Sequence, residues 1–134
     1  MIENIEKNMF LRFRKLFPDG RNVDTSQSLM SFGFAVDYGW AGLLWECFER
    51  LEKLAGDKYA INFIQVKEKF GGLRIYCRPS SEIEREVRDI LLEFENRSYE
   101  TCETCGAPGR LRFGMWKKVR CDDCEIKHEQ ERGG

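Results

Sequence analysis

Histidine is nearly missing from this chain: His128 is the only one among 134 residues. With a single histidine an HNH-type nuclease centre is not expected. A zinc deaminase is excluded as well, since no His-x-Glu element accompanies the cysteines. No phosphate loop, Gly-x-Ser-x-Gly or His-Glu-x-x-His motif is present. No run approaches the ~20 apolar residues that span a bilayer, so no membrane partner is expected. An excess of either charge is lacking too: 22 basic residues against 23 acidic ones leave a formal net charge of -1. Whole-molecule attraction to nucleic acid does not follow, and any anion site must be a local patch. The start, Met1-Ile2-Glu3-Asn4, has neither the basic region nor the apolar run of a signal peptide. The expectation is a cytoplasmic, reduced protein.

What is present is a globular composition, 42% hydrophobic and 13% aromatic, and six cysteines with a telling arrangement. Four form two knuckles, Cys102-x2-Cys105 and Cys121-x2-Cys124, separated by fifteen residues. Two residues between thiolates let one tight turn aim both sulfurs at a single ion, and a hairpin returns the second pair to the same point. This spacing predicts one structural Zn2+ held by Cys102, Cys105, Cys121 and Cys124. With four protein ligands the shell is closed, so the metal is expected to organise the tail rather than activate water. It adds about two negative charges to the formal count, +2 from the ion against -4 from the thiolates. His128, four residues after Cys124, is read as a solvated side chain. Cys47 and Cys77 lie in apolar settings and read as small buried hydrophobes.

Periodicity predicts an α+β fold: helices packed on a small antiparallel β-hairpin or sheet, followed by a C-terminal four-cysteine zinc module. Helices are expected over about 2–17, 40–55 and 81–98. The first has Ile2, Ile5, Met9, Phe13 and Leu16 on one face, and the second Trp40, Leu43, Leu44, Cys47, Phe48, Leu51 and Leu54. Ser81 and Glu84 form a capping-box pattern at the start of the third. Pro18-Asp19-Gly20 stops the first helix, residues 21–29 read as loop, and Phe32, Phe34 and Val36 alternate like a short strand. Trp45, off the main stripe, reads as ordinary packing. Residues 61–78 read as a hairpin turning at Gly71-Gly72, which pairs Phe70 with Leu73 and Val66 with Cys77. In that register Ile64, Val66, Glu68, Phe70, Leu73, Ile75 and Cys77 share one face. Phe63, Gln65, Lys67, Lys69, Arg74, Tyr76 and Arg78 share the other. Residues 1–100 are then the body and 101–134 the metal module, with no flexible linker between them. Knuckle, hairpin and a polar helix after Cys124 favour a treble clef; a zinc ribbon is the alternative.

Two cation-rich surfaces are the candidate ligand sites. One is the hairpin face with Lys67, Lys69, Arg74 and Arg78 around Tyr76. The other is the stretch between the knuckles with Arg110, Arg112, Lys117, Lys118 and Arg120 near Trp116, where no acidic residue occurs from Gly106 to Arg120. Cations neutralise phosphates, and aromatic rings stack on bases, so nucleic acid or a nucleotide is the expected ligand class. The plainer alternative is a set of solvated strand faces paired with the acidic third helix. Glu68 stands on an otherwise apolar face and needs a partner. It is expected to lie near an edge or pair with Arg97, or else to orient a cation beneath a ligand.

The stretch Val66-Lys67-Glu68-Lys69-Phe70-Gly71-Gly72-Leu73-Arg74-Ile75-Tyr76 occurs here with Gly39-Trp40 and the helix after it, Cys-Glu-Thr-Cys-Gly-Ala-Pro-Gly-Arg, and a closing Cys-Asp-x-Cys. As a set these resemble a family of small phage and prophage proteins, over roughly residues 37–125. The resemblance implies a phage or prophage setting in a bacterial cytoplasm and supplies no reaction. By analogy it adds a second class of function, an accessory factor that binds a host protein, such as an inhibitor of host defence. An enzyme has the least support.

Overall fold

A computed structural model describes residues 2–18 and 33–133. The expected loop at 21–29, Asp19-Gly20 and Phe32 lie outside them. The chain is α+β. Helix α1 (Glu3–Arg12) is followed by the short strand β1 (Phe34–Ala35), a 3-10 turn (Tyr38–Trp40) and α2 (Ala41–Ala55). Strands β2 (Ile61–Lys69) and β3 (Gly72–Pro79) come next, then a second 3-10 turn (Ser81–Ile83) and α3 (Glu84–Ser98). The tail holds β4 (Arg110–Arg112), β5 (Lys118–Arg120) and α4 (Asp122–Gly133).

The apolar stripes of α1 and α2 meet in one aromatic core. Phe13, Phe17, Phe34, Trp40, Phe48 and Phe63 are buried there. Phe17 stacks on Phe63 at 4.5 Å between ring centroids, and Phe48 meets Phe17 edge-on at 5.1 Å. Trp45 packs edge-on against Phe13 at 5.3 Å, so it is ordinary packing. The first helix is shorter than its apolar spacing predicts. Phe13 leaves helical geometry (φ -110°, ψ 49°), and the chain closes locally through the Leu16 and Phe17 N–H groups onto the Phe13 carbonyl. Pro18 disfavours helical geometry at Phe17, so the winding ends before it. Glu6 is buried on this helix and accepts the Phe34 N–H at 2.8 Å, which ties β1 to α1.

The main sheet has the order β1-β2-β3. It is mixed rather than purely antiparallel, because β1 runs parallel to β2 with Phe34 opposite Val66. The hairpin register differs from the sequence reading. Lys69 pairs with Gly72 and Val66 with Ile75, so the turn residues are Phe70 and Gly71. The reason lies in what each glycine meets. A side chain on Gly72 would run into the Tyr99 ring, so Gly72 is a packing glycine. Gly71 carries the positive φ, 90°, that the turn needs. Near the turn the face assignments of the strand residues survive, since the shift moves each pairing by two. Beyond it, a bulge between Phe63 and Gln65 reverses the pattern. Phe63, expected on the cationic face, is thereby turned into the core, and Ile64 is only half-buried.

The expected capping box does not form. Ser81 Oγ meets Glu82 rather than a backbone N–H, and the helix opens through the 3-10 turn. The neighbouring Ser80 hydroxyl bonds Ala60 at the base of the hairpin instead. Helix α3 docks on α2 and β3 through Val87 and Phe94 and a ring of ion pairs: Arg97–Glu46 at 2.6 Å, Arg50–Glu93 and Arg74–Glu95. No helix among the described residues is long and apolar enough to cross a membrane.

Candidate functional site

The knuckle Cys102–Cys105 is shaped by its backbone. The Cys102 N–H donates to the Ala107 carbonyl and the Gly106 N–H to the Cys102 carbonyl, both at 2.8 Å. Gly106 takes φ 87°, where a side chain is disfavoured. Strands β4 and β5 pair Arg110 with Arg120 and Arg112 with Lys118, and return the chain to Cys121. Helix α4 begins at the next residue, so Cys124 lies in its first turn. Knuckle, hairpin and cysteine-bearing helix occur in the order expected of a treble clef. The ligand atoms of Cys102, Cys105, Cys121 and Cys124 all lie within 4.8 Å of one another, close enough for one metal ion to bind all four. Cys102 is fully buried and Cys105 exposed. Burial opposes ionisation of Cys102, but hydrogen bonds from the backbone of Cys121, Cys105 and Thr104 outweigh it and bring the thiol down to about 7. His128 is half-buried and is not one of the clustered ligands. Cys47 is fully buried, and burial pushes its thiol up to about 12; the half-buried Cys77 is pushed up to about 11 by the same cause.

The module is sewn onto the body along one seam. The Gly39 N–H donates to the Glu103 carbonyl at 2.7 Å, and the Trp40 indole N–H to the Thr101 carbonyl at 2.9 Å. A Cβ on Gly39 would overlap the carbonyl oxygens of Cys102 and Glu103. The Glu103 carboxylate is buried, accepts the Asp37 N–H at 3.0 Å and receives Lys118 at 3.4 Å. Lys118 also reaches Glu68 at 3.3 Å. Arg97 is engaged with Glu46 and Glu93, so the partner of Glu68 is Lys118. Glu68 further accepts the Gly71 N–H at 2.8 Å and thereby holds the hairpin turn. Burial disfavours the charge on Lys118, but Glu103 and Glu68 outweigh it and hold the ammonium pKa above its ordinary value.

This seam brings the two sequence-predicted cationic stretches together at one end. Gly71 packs beneath Leu111 and Lys117. The turn of the main hairpin and the loop of the metal hairpin enclose a cleft of about 640 Å³, lined by Lys69, Phe70, Met115, Trp116 and Lys117 above Glu68 and Lys118. Its rim is unusually apolar for a surface: Phe70 is 67% exposed, Met115 92% and Trp116 78%, while Phe113, 77% exposed on the same loop, does not line the cleft. Lys69 sits 5.8 Å from the Phe70 ring centroid and Lys117 5.8 Å from that of Phe113.

The other candidates divide differently. Arg74 is paired with Glu95 at 2.8 Å and donates to the Tyr99 hydroxyl at 3.3 Å. With Tyr76 it lines a separate groove of about 510 Å³ between β3 and α3. Arg112 donates to the Arg120 carbonyl at 3.0 Å and to Asp122 at 2.7 Å, joining β4 to the start of α4. Arg110 is 4.0 Å from Asp122. Among the described residues Lys67, Lys69, Arg78 and Lys117 have no carboxylate within ion-pair distance, and of these only Lys69 and Lys117 reach the cleft. Sequence reasoning missed Phe70, Phe113 and Met115 as surface residues. The signal for Phe70 was its place beside glycine at a hairpin turn, where Asn-Gly is the favoured pair. Comparison with family models, curated proteins and solved structures gives no match.

Proposed function

We propose that this chain is a binding protein whose tail is fastened by one zinc ion and whose working surface is the cleft at the two hairpin tips. Zinc suits four thiolates at this spacing better than a hard cation, which prefers oxygen ligands. A four-thiolate shell has no open position for substrate, so the ion's role is structural. The ligand class this surface suits best is nucleic acid or a nucleotide, with Phe70 and Trp116 as stacking surfaces and Lys69 and Lys117 on phosphates.

One observation carries the reading. Phe70 occupies a turn position with φ 53°, where a bulky side chain is strained by roughly 1–2 kcal/mol, and it remains 67% exposed. Neither backbone preference nor core packing accounts for a phenylalanine there, and strained residues of this kind gather at ligand-binding sites. Retention of nucleic acid or nucleotide by the purified metal-loaded protein at low salt, lost as salt rises, is the expected result. No retention of either at low salt rejects the reading.

A second reading is favoured by Met115 and Trp116, which are exposed side chains of the kind that anchor protein interfaces. In it the chain is a phage-type accessory factor acting on a host protein in the bacterial cytoplasm, for example a counter-defence inhibitor. A partner recovered from nuclease-treated host lysate, and lost with Trp116→Ala, supports it.

A further inference from the structure

We infer that the tip cleft takes single-stranded nucleic acid, in preference to duplex or a free nucleotide. This deepens the proposed function and rests on it. The surface is built as two similar units from two different hairpins. Each has an exposed ring and its own unpaired lysine: Lys69 with Phe70 in the cleft, and Lys117 with Phe113, whose ring stands on the same loop just outside the cleft lining. Trp116 and Met115 complete the far wall. A repeated ring-plus-cation pattern matches a ligand that repeats base and phosphate, which a strand does and a mononucleotide does not.

Duplex fits poorly for two reasons. Its bases are stacked on one another, so their faces are closed to rings that project into solvent. Its binding also draws mainly on a broad field of free cations, and here Arg74, Arg112, Lys118 and Arg120 are all committed to carboxylates. The chain's net charge of -1 adds no long-range attraction. Glu68 does not veto a phosphate nearby, because Lys118 and the Gly71 N–H already engage its two oxygens.

The test uses the full metal-loaded chain and fluorescein-labelled oligonucleotides of roughly 15 nucleotides, the upper range of a single-strand site. DNA and RNA single strands, the corresponding duplex and ATP are compared by anisotropy and by tryptophan quenching. Single strands should bind at least about tenfold tighter than duplex or ATP. Two lysine–phosphate contacts predict a shallow salt slope, about -1.4 in log K against log salt. Phe70→Asn and Trp116→Ala should each weaken single-strand binding by roughly 5- to 100-fold, with melting temperatures unchanged or higher. Equal affinity for duplex, or binding untouched by either variant, overturns this inference while leaving the broader binding reading standing. Failure to bind any oligonucleotide or nucleotide overturns both. Retention of a host protein alone, abolished by Trp116→Ala, assigns the tip to a protein contact and overturns the inference too.

Discussion

Gly39 shows how much one hydrogen atom in place of a side chain decides. Its N–H and its bare Cα together let the body approach the knuckle backbone directly. Gly39→Ala is therefore expected to cost about 1–3 kcal/mol, the range for overpacking a close contact, read as a lower denaturation midpoint. Glu68 belongs to the same scale. Glu68→Gln weakens the tie to Lys118, and the expected outcome is a small loss of stability with a larger loss of ligand affinity as the turn loosens. Unchanged melting and unchanged affinity would remove Glu68 from both roles. Cys47 gives a pH dependence with a definite sign. Burial raises its native pKa to about 12, while an unfolded thiol ionises near its ordinary value of 9.0. Its contribution is intact below about pH 9 and is lost as pH climbs toward 12, because the unfolded chain releases the proton first. Denaturant midpoints at mildly and strongly alkaline pH should separate more in the parent protein than in Cys47→Ala.

Among elements, the hairpin of β2 and β3 teaches most about legibility. Alternation in Val66, Glu68, Leu73 and Ile75 was enough to find both strands and their faces near the turn. It could not say which of two adjacent glycines made the turn, because the deciding contact is Tyr99, 27 positions further along in sequence. Nor could it reveal the bulge at Phe63, which serves an aromatic core assembled from four separate segments. The cysteine knuckles were the opposite case. Their chemistry is local, so spacing alone located all four clustered cysteines. The cationic stretches were found as residues but not as a surface, since which cations are free depends on partners such as Glu95 and Asp122 from other elements. Replacement of the strained turn residue, Phe70→Asn, should raise the melting temperature even as it removes a stacking surface. That opposition of stability and binding is the mark of a functional strain.

On the scale of the whole molecule, the body and the four-cysteine tail are joined through residues 37–40 and 101–103. Metal analysis should give about one zinc per chain. Four-thiolate zinc binding carries on the order of 10 kcal/mol of folding free energy, so a strong chelator should unfold the tail and also release the Trp40 indole from Thr101. A change in tryptophan fluorescence in parallel with metal loss is the expected signature. Protons compete with the ion for thiolates, so metal affinity should fall as pH is lowered.

The Gly39–Glu103 bond also orders events during synthesis. Residues 39 and 40 leave the ribosome long before residue 103, so for that interval the body must hold an N–H and an indole whose partners do not yet exist. The later-made segment around Thr101 and Glu103, rather than the aromatic core, is what satisfies them. A nascent chain stalled before residue 101 has emerged should leave its Trp40 flank open to protease, and protection should appear only once residues 101 to 103 are free to dock.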